Sequence, residues 1–124
     1  MKNGIIMSWG ERMQQNIIYK IYIGRKCAYI GCTTNDLTAT LRVHFFNDKD
    51  EIDINRVSKI EYAILQSYAD CLVYKTYYIN SIKPIYNKSE KARDEISSSI
   101  VLPDLNFIEY NNPIIDKWKN MFKA

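Results

Sequence analysis

Two strand-like segments separated by a short turn begin the regular pattern of the chain. Residues 16–23 (NIIYKIYI) are rich in β-branched and aromatic side chains, which favour strands. Residues 24–26 (GRK) form a predicted turn, in which the glycine supplies the unusual backbone angle. Residues 27–31 (CAYIG) are then the return strand, so the pattern predicts a β-hairpin.

After the hairpin, the spacing of the apolar residues becomes that of a helix. Leu37, Leu41 and Phe45 recur every four residues, which predicts an amphipathic helix with one buried stripe. The preceding loop, CTTN, offers Thr34 or Asn35 as the N-cap, because either side chain can accept a hydrogen bond from a free N–H of the first turn.

A third strand and a second helix follow. The polar segment 47–56 predicts an exposed loop, and 57–65 (VSKIEYAIL) alternates between apolar and polar residues as a strand does. Residues 68–82 (YADCLVYKTYYINSI) predict a helix. Pro84 ends it, because the proline ring cannot continue the helical backbone bonding.

The last part of the chain has a different character. Residues 88–99 are charged and rich in serine, and we expect them to be either helical or mobile. Asn112 and Pro113 are a predicted N-cap and first helical position. The apolar face of the helix that follows consists of Ile114, Ile115, Trp118, Met121 and Phe122.

This C-terminal apolar face has two interpretations. It packs on the domain's own core, which we favour because exposed tryptophan and phenylalanine side chains are a liability. Alternatively, it contacts a protein partner or a second copy of the chain. The residues of such a contact would be Ile114, Trp118, Met121 and Phe122.

Composition narrows the classes of protein that these elements fit. The 124 residues suit one domain, no stretch reaches the length of a membrane span, and the N-terminus does not resemble a signal peptide. Cys27, Cys32 and Cys71 with a single histidine do not complete a usual zinc site, so we expect free thiols in an intracellular compartment, cytoplasmic or nuclear or at the nucleoid.

The net charge of +3 is compatible with nucleic-acid binding. However, the 19 isoleucine, 12 lysine and 11 asparagine residues share AT-rich codons. The lysine content therefore indicates the genome, such as that of a phage, a large DNA virus or a low-GC bacterium, as much as it indicates a binding surface.

The order strand, turn, strand, helix, strand, helix and Lys-Pro-Ile-Tyr-Asn resembles the GIY-YIG endonuclease superfamily over residues 16–88. The first signature is IIY at 17–19, with isoleucine at the family's glycine, and the second, YIG at 29–31, is intact. The segments TTNDL, LRVH and YYINSIKPIYN also match. The resemblance implies a small α/β domain with a three-stranded antiparallel sheet flanked by helices, preceded by segment 1–15 and followed by a C-terminal extension, 89–124.

The resemblance also implies a set of catalytic positions. In the family, hairpin tyrosines position or activate the attacking water, a first-helix arginine binds the phosphate, and a second-helix glutamate holds one divalent metal ion. Tyr19 and Tyr29 match the tyrosines, and Asn87 matches a supporting asparagine. The arginine position, nine residues after the glycine of YIG, is Thr40; the glutamate position, nine residues before the proline, is Lys75.

These two replacements change the expected chemistry. A lysine cannot ligate Mg²⁺, and its charge repels the ion by roughly 4 kcal/mol per pair of unit charges at an effective dielectric constant of about 20. Losing the arginine removes a bidentate phosphate clamp. We therefore expect an inactive member that binds DNA without a cofactor. The expected DNA-binding residues are Tyr19, Tyr29, Arg42, Lys75 and Asn87.

Two other functions remain open. One is an active endonuclease with a rearranged site, which would need Mg²⁺ or Mn²⁺ and a relocated carboxylate such as Glu61 or Asp70, although neither has a compelling position. Its candidate catalytic residues are Tyr19, Tyr29, Arg42 and His44. The other is a protein-interaction or regulatory module that reuses the fold.

Individual residues also have simpler explanations. Lys75 is equally well explained as a solvated helix lysine, and His44, close to the apolar stripe of the first helix, as a structural histidine. Tyr19 and Tyr29 can pack against each other across the hairpin.

Overall fold

The computed structural model describes residues 15–47, 52–87 and 100–121. Its elements are β1 (Asn16–Ile23), β2 (Lys26–Thr33), α1 (Leu37–Phe46), a 3₁₀ helix (Ile54–Arg56), β3 (Val57–Leu65), α2 (Tyr68–Ile82), β4 (Ile108–Glu109) and α3 (Ile114–Met121). The four strands form one antiparallel sheet in the order β2–β1–β3–β4. The α/β class is thereby confirmed.

The elements predicted from hydrophobic periodicity agree with the structure. Strands β1 and β3 and helix α2 have the predicted bounds, and the hairpin turns at Gly24, whose φ is +62°. Helix α2 ends at Ile82, and its C-cap, Lys83, adopts a left-handed conformation directly before Pro84. The stripe of Leu37, Leu41 and Phe45 is buried as predicted.

The prediction of a three-stranded sheet was wrong, because β4 adds a fourth strand at the edge beside β3. The backbone N–H of Tyr110 donates to the carbonyl of Ile60 at 2.7 Å, which satisfies a group that the edge of β3 would otherwise leave open. The rings of Phe107 and Tyr110 pack against opposite sides of the sheet and hold this short strand in place. A two-residue strand has no periodicity, so tertiary packing alone determines it.

Two local predictions also need correction. The N-cap of α1 is Asp36, not Thr34 or Asn35: its carboxylate accepts from the backbone N–H of Ala39 at 3.0 Å. The segment 47–56 is not simply an exposed loop. Its described residues include the 3₁₀ turn, and the side chains of Ile52 and Ile54 are buried in the core.

The sheet is covered by helices on both faces. Helix α1 packs on the face that carries Tyr19 and Ile21, and helix α2 packs on the face that carries Ile18 and Ile30. Alternating residues of the central strand β1 therefore face different helices, as the period of two requires. This explains why consecutive residues of β1 are buried, on both faces of the sheet.

The C-terminal helix packs on the domain's own core, as we favoured. Trp118 is only 5% exposed, and its ring lies 6.2 Å from that of Phe45 and 5.6 Å from that of Phe46. The Asn112 carboxamide accepts from the N–H of Ile114 at 3.0 Å, in the predicted capping role. Met121 is 66% exposed, so it is left out of this packing. Trp118 is consequently not available to a partner, while Phe122 and the segment 88–99 lie outside the described residues.

Candidate functional site

The hairpin places the ring of Tyr19 directly over Gly31. These two residues are paired in the register of β1 and β2, so the Tyr19 side chain lies on the face that a side chain at position 31 would occupy. A Cβ atom added to Gly31 would lie 2.5 Å from both Cζ and Oη of Tyr19, and 2.9 Å from Cε2 of Tyr29. The glycine of the YIG motif therefore has a physical role, because a side chain there would collide with both tyrosines.

His44 of α1 joins the two tyrosines. The Tyr19 hydroxyl and His44 Nε2 are hydrogen-bonded at 2.7 Å, with either atom able to donate depending on the imidazole tautomer. The His44 ring lies edge-on to both tyrosine rings, with centroids 4.7 Å from Tyr29 and 5.8 Å from Tyr19. The structure thus brings together three of the residues predicted as candidates for an active nuclease.

Thr40, which the resemblance aligns with an arginine, is half-buried and links α1 to the end of β2. Its hydroxyl is 2.9 Å from the hydroxyl of Thr33 and 3.1 Å from the carbonyl of Asp36. Beside it is a cavity of about 440 Å³, which we call the α1 cavity. Its lining residues are Thr33, Asn35, Ala39, Thr40, Val43, His44 and Asn47. None of these is a carboxylate.

Lys75 lies on the side of α2 that faces the sheet. It is one helical turn after Cys71 and one turn before Ile79, both of which are buried. This side of α2 contacts β2 at Cys71, whose backbone carbonyl accepts a hydrogen bond from the Cys32 thiol at 3.2 Å. Lys75 itself is half-buried, so it differs from a fully solvated helix lysine.

Asn87 is placed beside the hairpin, but its amide is committed to the backbone. Its Oδ1 accepts from the N–H of Ile30 at 2.9 Å, and its Nδ2 donates to the carbonyl of the same residue at 3.0 Å. The residue is only 2% exposed. It therefore pairs with the edge strand β2 as another strand would, and we assign it a structural role.

Arg42 is exposed and does not line the α1 cavity. It lines a neighbouring shallow groove on the outer side of α1, together with Asp36 and Phe46. The structure therefore does not bring Arg42 together with the Tyr19–His44 pair.

The carboxylates considered for a relocated metal site also lie elsewhere. Glu61 is paired with Lys59 at 3.1 Å and accepts from the Tyr22 hydroxyl at 3.1 Å. Asp70 is exposed in the first turn of α2. Across the described ranges, no group of three histidine, cysteine, aspartate or glutamate side chains is arranged to hold a metal ion.

A buried lysine in the central strand was missed by the sequence reasoning. Lys20 is 9% exposed, and its ammonium group lies 4.5 Å from the ring centroid of Tyr78 and 4.1 Å from that of Phe107. Cation–π attraction of this kind compensates in part for the loss of hydration. One signal was present, because Lys20 is the only charged residue of β1 and lies among isoleucines and tyrosines.

The thiols of Cys27 and Cys71 are poor nucleophiles in this environment. Burial raises the pKa of the Cys27 thiol to about 11, and burial also raises the pKa of Cys71. Since Cys27 would ordinarily titrate at 9.0, its thiolate fraction at neutral pH is lowered by about 100-fold.

We therefore expect iodoacetamide to modify Cys27 about 100-fold more slowly in the folded protein than in the urea-unfolded chain. Peptide mapping by mass spectrometry over a time course measures this rate for each cysteine. Equal rates in the two states would contradict the burial of this thiol.

No protein-family model, curated protein or solved structure matched the chain in three separate comparisons. None of the helices in residues 15–47, 52–87 and 100–121 is long and apolar enough to cross a membrane.

Proposed function

We propose that this protein is a degenerate GIY-YIG-like nuclease domain that binds DNA and has lost one-metal cleavage. The observation that carries the proposal is the α1 cavity. It offers the hydroxyls of Thr33 and Thr40 and the imidazole of His44, and no carboxylate among its described lining residues. Such a set suits a phosphate group better than a divalent cation, because Mg²⁺ requires oxygen ligands and is usually held by carboxylates.

The arrangement of the hairpin supports the ancestry in this proposal. Strand, turn, strand, helix, strand and helix follow in the order of the resemblance, and Tyr19 and Tyr29 share one face of the sheet. Gly31 is required beneath them, which gives the one intact signature a geometric reason.

The hydroxyl pair at the end of β2 supports phosphate binding. Each hydroxyl has one proton to donate. The Thr40 hydroxyl donates to the Asp36 carbonyl at 3.1 Å and the Thr33 hydroxyl to Thr40 at 2.9 Å, so in this proposal Thr40 turns its proton from that carbonyl to the phosphate oxygen. An arginine at position 40 would supply a stronger contact. We therefore propose a weak, neutral phosphate contact here that needs a cation from another element.

Lys75 is our candidate for that cation. Helix α2 packs on the opposite face of the sheet from α1, and β2 is the edge strand, so the proposal requires the Lys75 side chain to extend around that edge. In this proposal its ammonium group contacts a neighbouring phosphate. The same charge disfavours a metal ion there.

Replacing Lys75 by glutamine is expected to weaken the binding of a fluorescein-labelled DNA duplex by about fivefold to tenfold, because one phosphate contact is lost. The slope of log affinity against log salt concentration is expected to fall by about one unit. Fluorescence anisotropy between about 50 mM and about 200 mM salt measures both quantities.

The matched control is Lys117→Gln, which removes one exposed lysine charge from α3. We expect it to change DNA affinity by less than about twofold, the effect of net charge alone. Equal effects of Lys75→Gln and Lys117→Gln would contradict the assigned contact. A wild-type protein that binds neither duplex nor branched DNA would overturn the proposed function.

A second candidate function rests on a different observation. The Tyr19 hydroxyl, hydrogen-bonded to the His44 imidazole, is an arrangement in which a base activates a nucleophile or a water molecule. If purified protein nicks supercoiled DNA with Mg²⁺ or Mn²⁺, and Tyr29→Phe or Tyr19→Phe abolishes the nicking, the rearranged nuclease replaces our first proposal.

A further inference from the structure

A second cavity lies at the opposite end of the hairpin from the α1 cavity and shares no lining residue with it. Its volume is about 720 Å³, within the range of small-ligand sites. The β1–β2 turn, the end of the 3₁₀ helix and the end of α2 enclose it. We call it the basic pocket, because of the four side chains described next.

Four cations from these three segments line the basic pocket: Arg25, Lys26, Arg56 and Lys83. No carboxylate is among the described residues that line it. None of the four forms an ion pair within 4.0 Å with a carboxylate of the described ranges, whereas Lys59 pairs with Glu61 at 3.1 Å. Like charges without counter-charges repel one another, so an anion bound among them would be stabilised.

Two local features position the segments that carry these cations. The Ser58 hydroxyl of β3 donates to the carbonyl of Gly24 at 2.7 Å, which ties the hairpin turn to the strand that follows Arg56. On the other side, Lys83 has a φ of +56°, a conformation in which glycine is the usual residue. A lysine at this helix end therefore adds a charge to the pocket wall at a local conformational cost.

The remaining wall of the basic pocket is apolar and aromatic. Ile82 and Ile85 line it, together with Tyr86, whose backbone N–H donates to the carbonyl of Ala28 at 3.0 Å. An inorganic anion is bound by charges and hydrogen bonds alone and gains nothing from an apolar and aromatic surface. A nucleotide does use one, because its base can pack on an aromatic ring while its phosphates contact the cations.

We propose that the basic pocket binds the phosphate and base of a nucleotide, either within a nucleic-acid strand or as a free nucleotide. The proposal goes beyond DNA binding at the α1 cavity, since it assigns a separate site with its own charges. Arg25 and Arg56 contact the phosphate, and Tyr86 contacts the base.

The test measures two probes with the full chain: a fluorescein-labelled oligothymidylate by anisotropy, and ADP by isothermal titration calorimetry. Arg56→Gln is expected to weaken binding of the true ligand by about fivefold to tenfold, because a charge-assisted phosphate contact is lost. Arg25→Gln, from a different segment, is expected to have an effect of similar size. The control Lys117→Gln is expected to change binding by less than about twofold.

The two probes separate the sources of the phosphate. An effect on the oligothymidylate identifies a nucleic-acid strand, and an effect on ADP alone identifies a free nucleotide. If neither probe responds to Arg25→Gln and Arg56→Gln beyond the control, the basic pocket is not a nucleotide site.

The result is also independent of the proposed function. If Lys75→Gln weakens duplex binding while Arg25→Gln and Arg56→Gln do not affect either probe, DNA binding stands and the basic pocket fails. If the wild type binds no duplex but binds ADP in a way that depends on Arg56, the proposed function fails and the basic pocket stands.

Discussion

Replacing Asn87 by aspartate is expected to destabilise the protein by about 4 kcal/mol at neutral pH. The substitution removes the donor to the Ile30 carbonyl and places a buried negative charge against that oxygen, so one of the two hydrogen bonds between residue 87 and Ile30 is lost. Urea denaturation followed by circular dichroism measures the change. Asn87→Ala, which loses both hydrogen bonds but buries no charge, is expected to cost about 2 to 3 kcal/mol.

The pH dependence distinguishes the two Asn87 variants. In Asn87→Asp, burial raises the pKa of the new carboxyl in the folded state. The free energy of unfolding of this variant is therefore lowered above that pKa and recovers as the pH falls and the carboxyl is protonated. The stability of Asn87→Ala should show no such recovery relative to the wild type.

Asn16→Ala is the matched control for Asn87. The Asn16 amide makes one long hydrogen bond, 3.4 Å, to the carbonyl of Leu65. We expect this substitution to cost less than about 1 kcal/mol. Similar losses for Asn16→Ala and Asn87→Ala would contradict a special role of Asn87 at the edge strand.

Replacing Gly31 by alanine is expected to cost about 3 kcal/mol, because the new methyl group would lie 2.5 Å from the Tyr19 ring and force it away. Tyr19 is only 2% exposed, so the ring cannot move without disturbing the core. Its hydrogen bond to His44 should break as well. Urea denaturation measures the stability, and the histidine imidazole resonances report the loss of the bond.

Gly24 provides the control for backbone effects. Its φ of +62° favours glycine, but nothing lies within 4 Å of a Cβ placed there. Gly24→Asn is therefore expected to cost less than about 1 kcal/mol, because asparagine tolerates this conformation.

A double variant tests whether the collision with Tyr19 is the cause. Tyr19→Leu removes the ring atoms that the methyl group would meet. Adding Gly31→Ala to Tyr19→Leu should therefore cost much less than adding it to the wild type. Additive losses would show that Tyr19 is not the cause and that another contact, such as that with Tyr29 at 2.9 Å, requires the glycine.

The regular elements could be predicted because their signal is local. The every-fourth-residue spacing of Leu37 and Leu41 predicts a helix whatever the rest of the chain does, and the strand bounds follow from β-branched runs. Strand β4 has no such signal, since two residues have no period. Its position depends on Phe107 and Tyr110, which find their partners only after the sheet has formed.

For the candidate site, the sequence predicted which residues take part but not which of them lie close together. Tyr19, Tyr29 and His44 were named from the sequence, but Arg42 was grouped with them although it lines a different groove. Neighbours in sequence on a helix point in different directions, so two positions can separate a cavity residue from an exposed one. Asn87 was predicted to contact DNA, and nothing local in the sequence indicates that its amide pairs with the backbone of Ile30.

The sequence by itself determined the two faces of β1, the helices that cover them, and the glycine turn, because these depend on neighbouring residues and on periods of 2 and 3.6. Only the tertiary structure decided which side chains meet. Tyr19 and His44 are 25 residues apart, and Ile30 and Asn87 are 57 apart. The four cations of the basic pocket come from three separate segments. Such contacts depend on how the whole chain packs, and no local pattern encodes them.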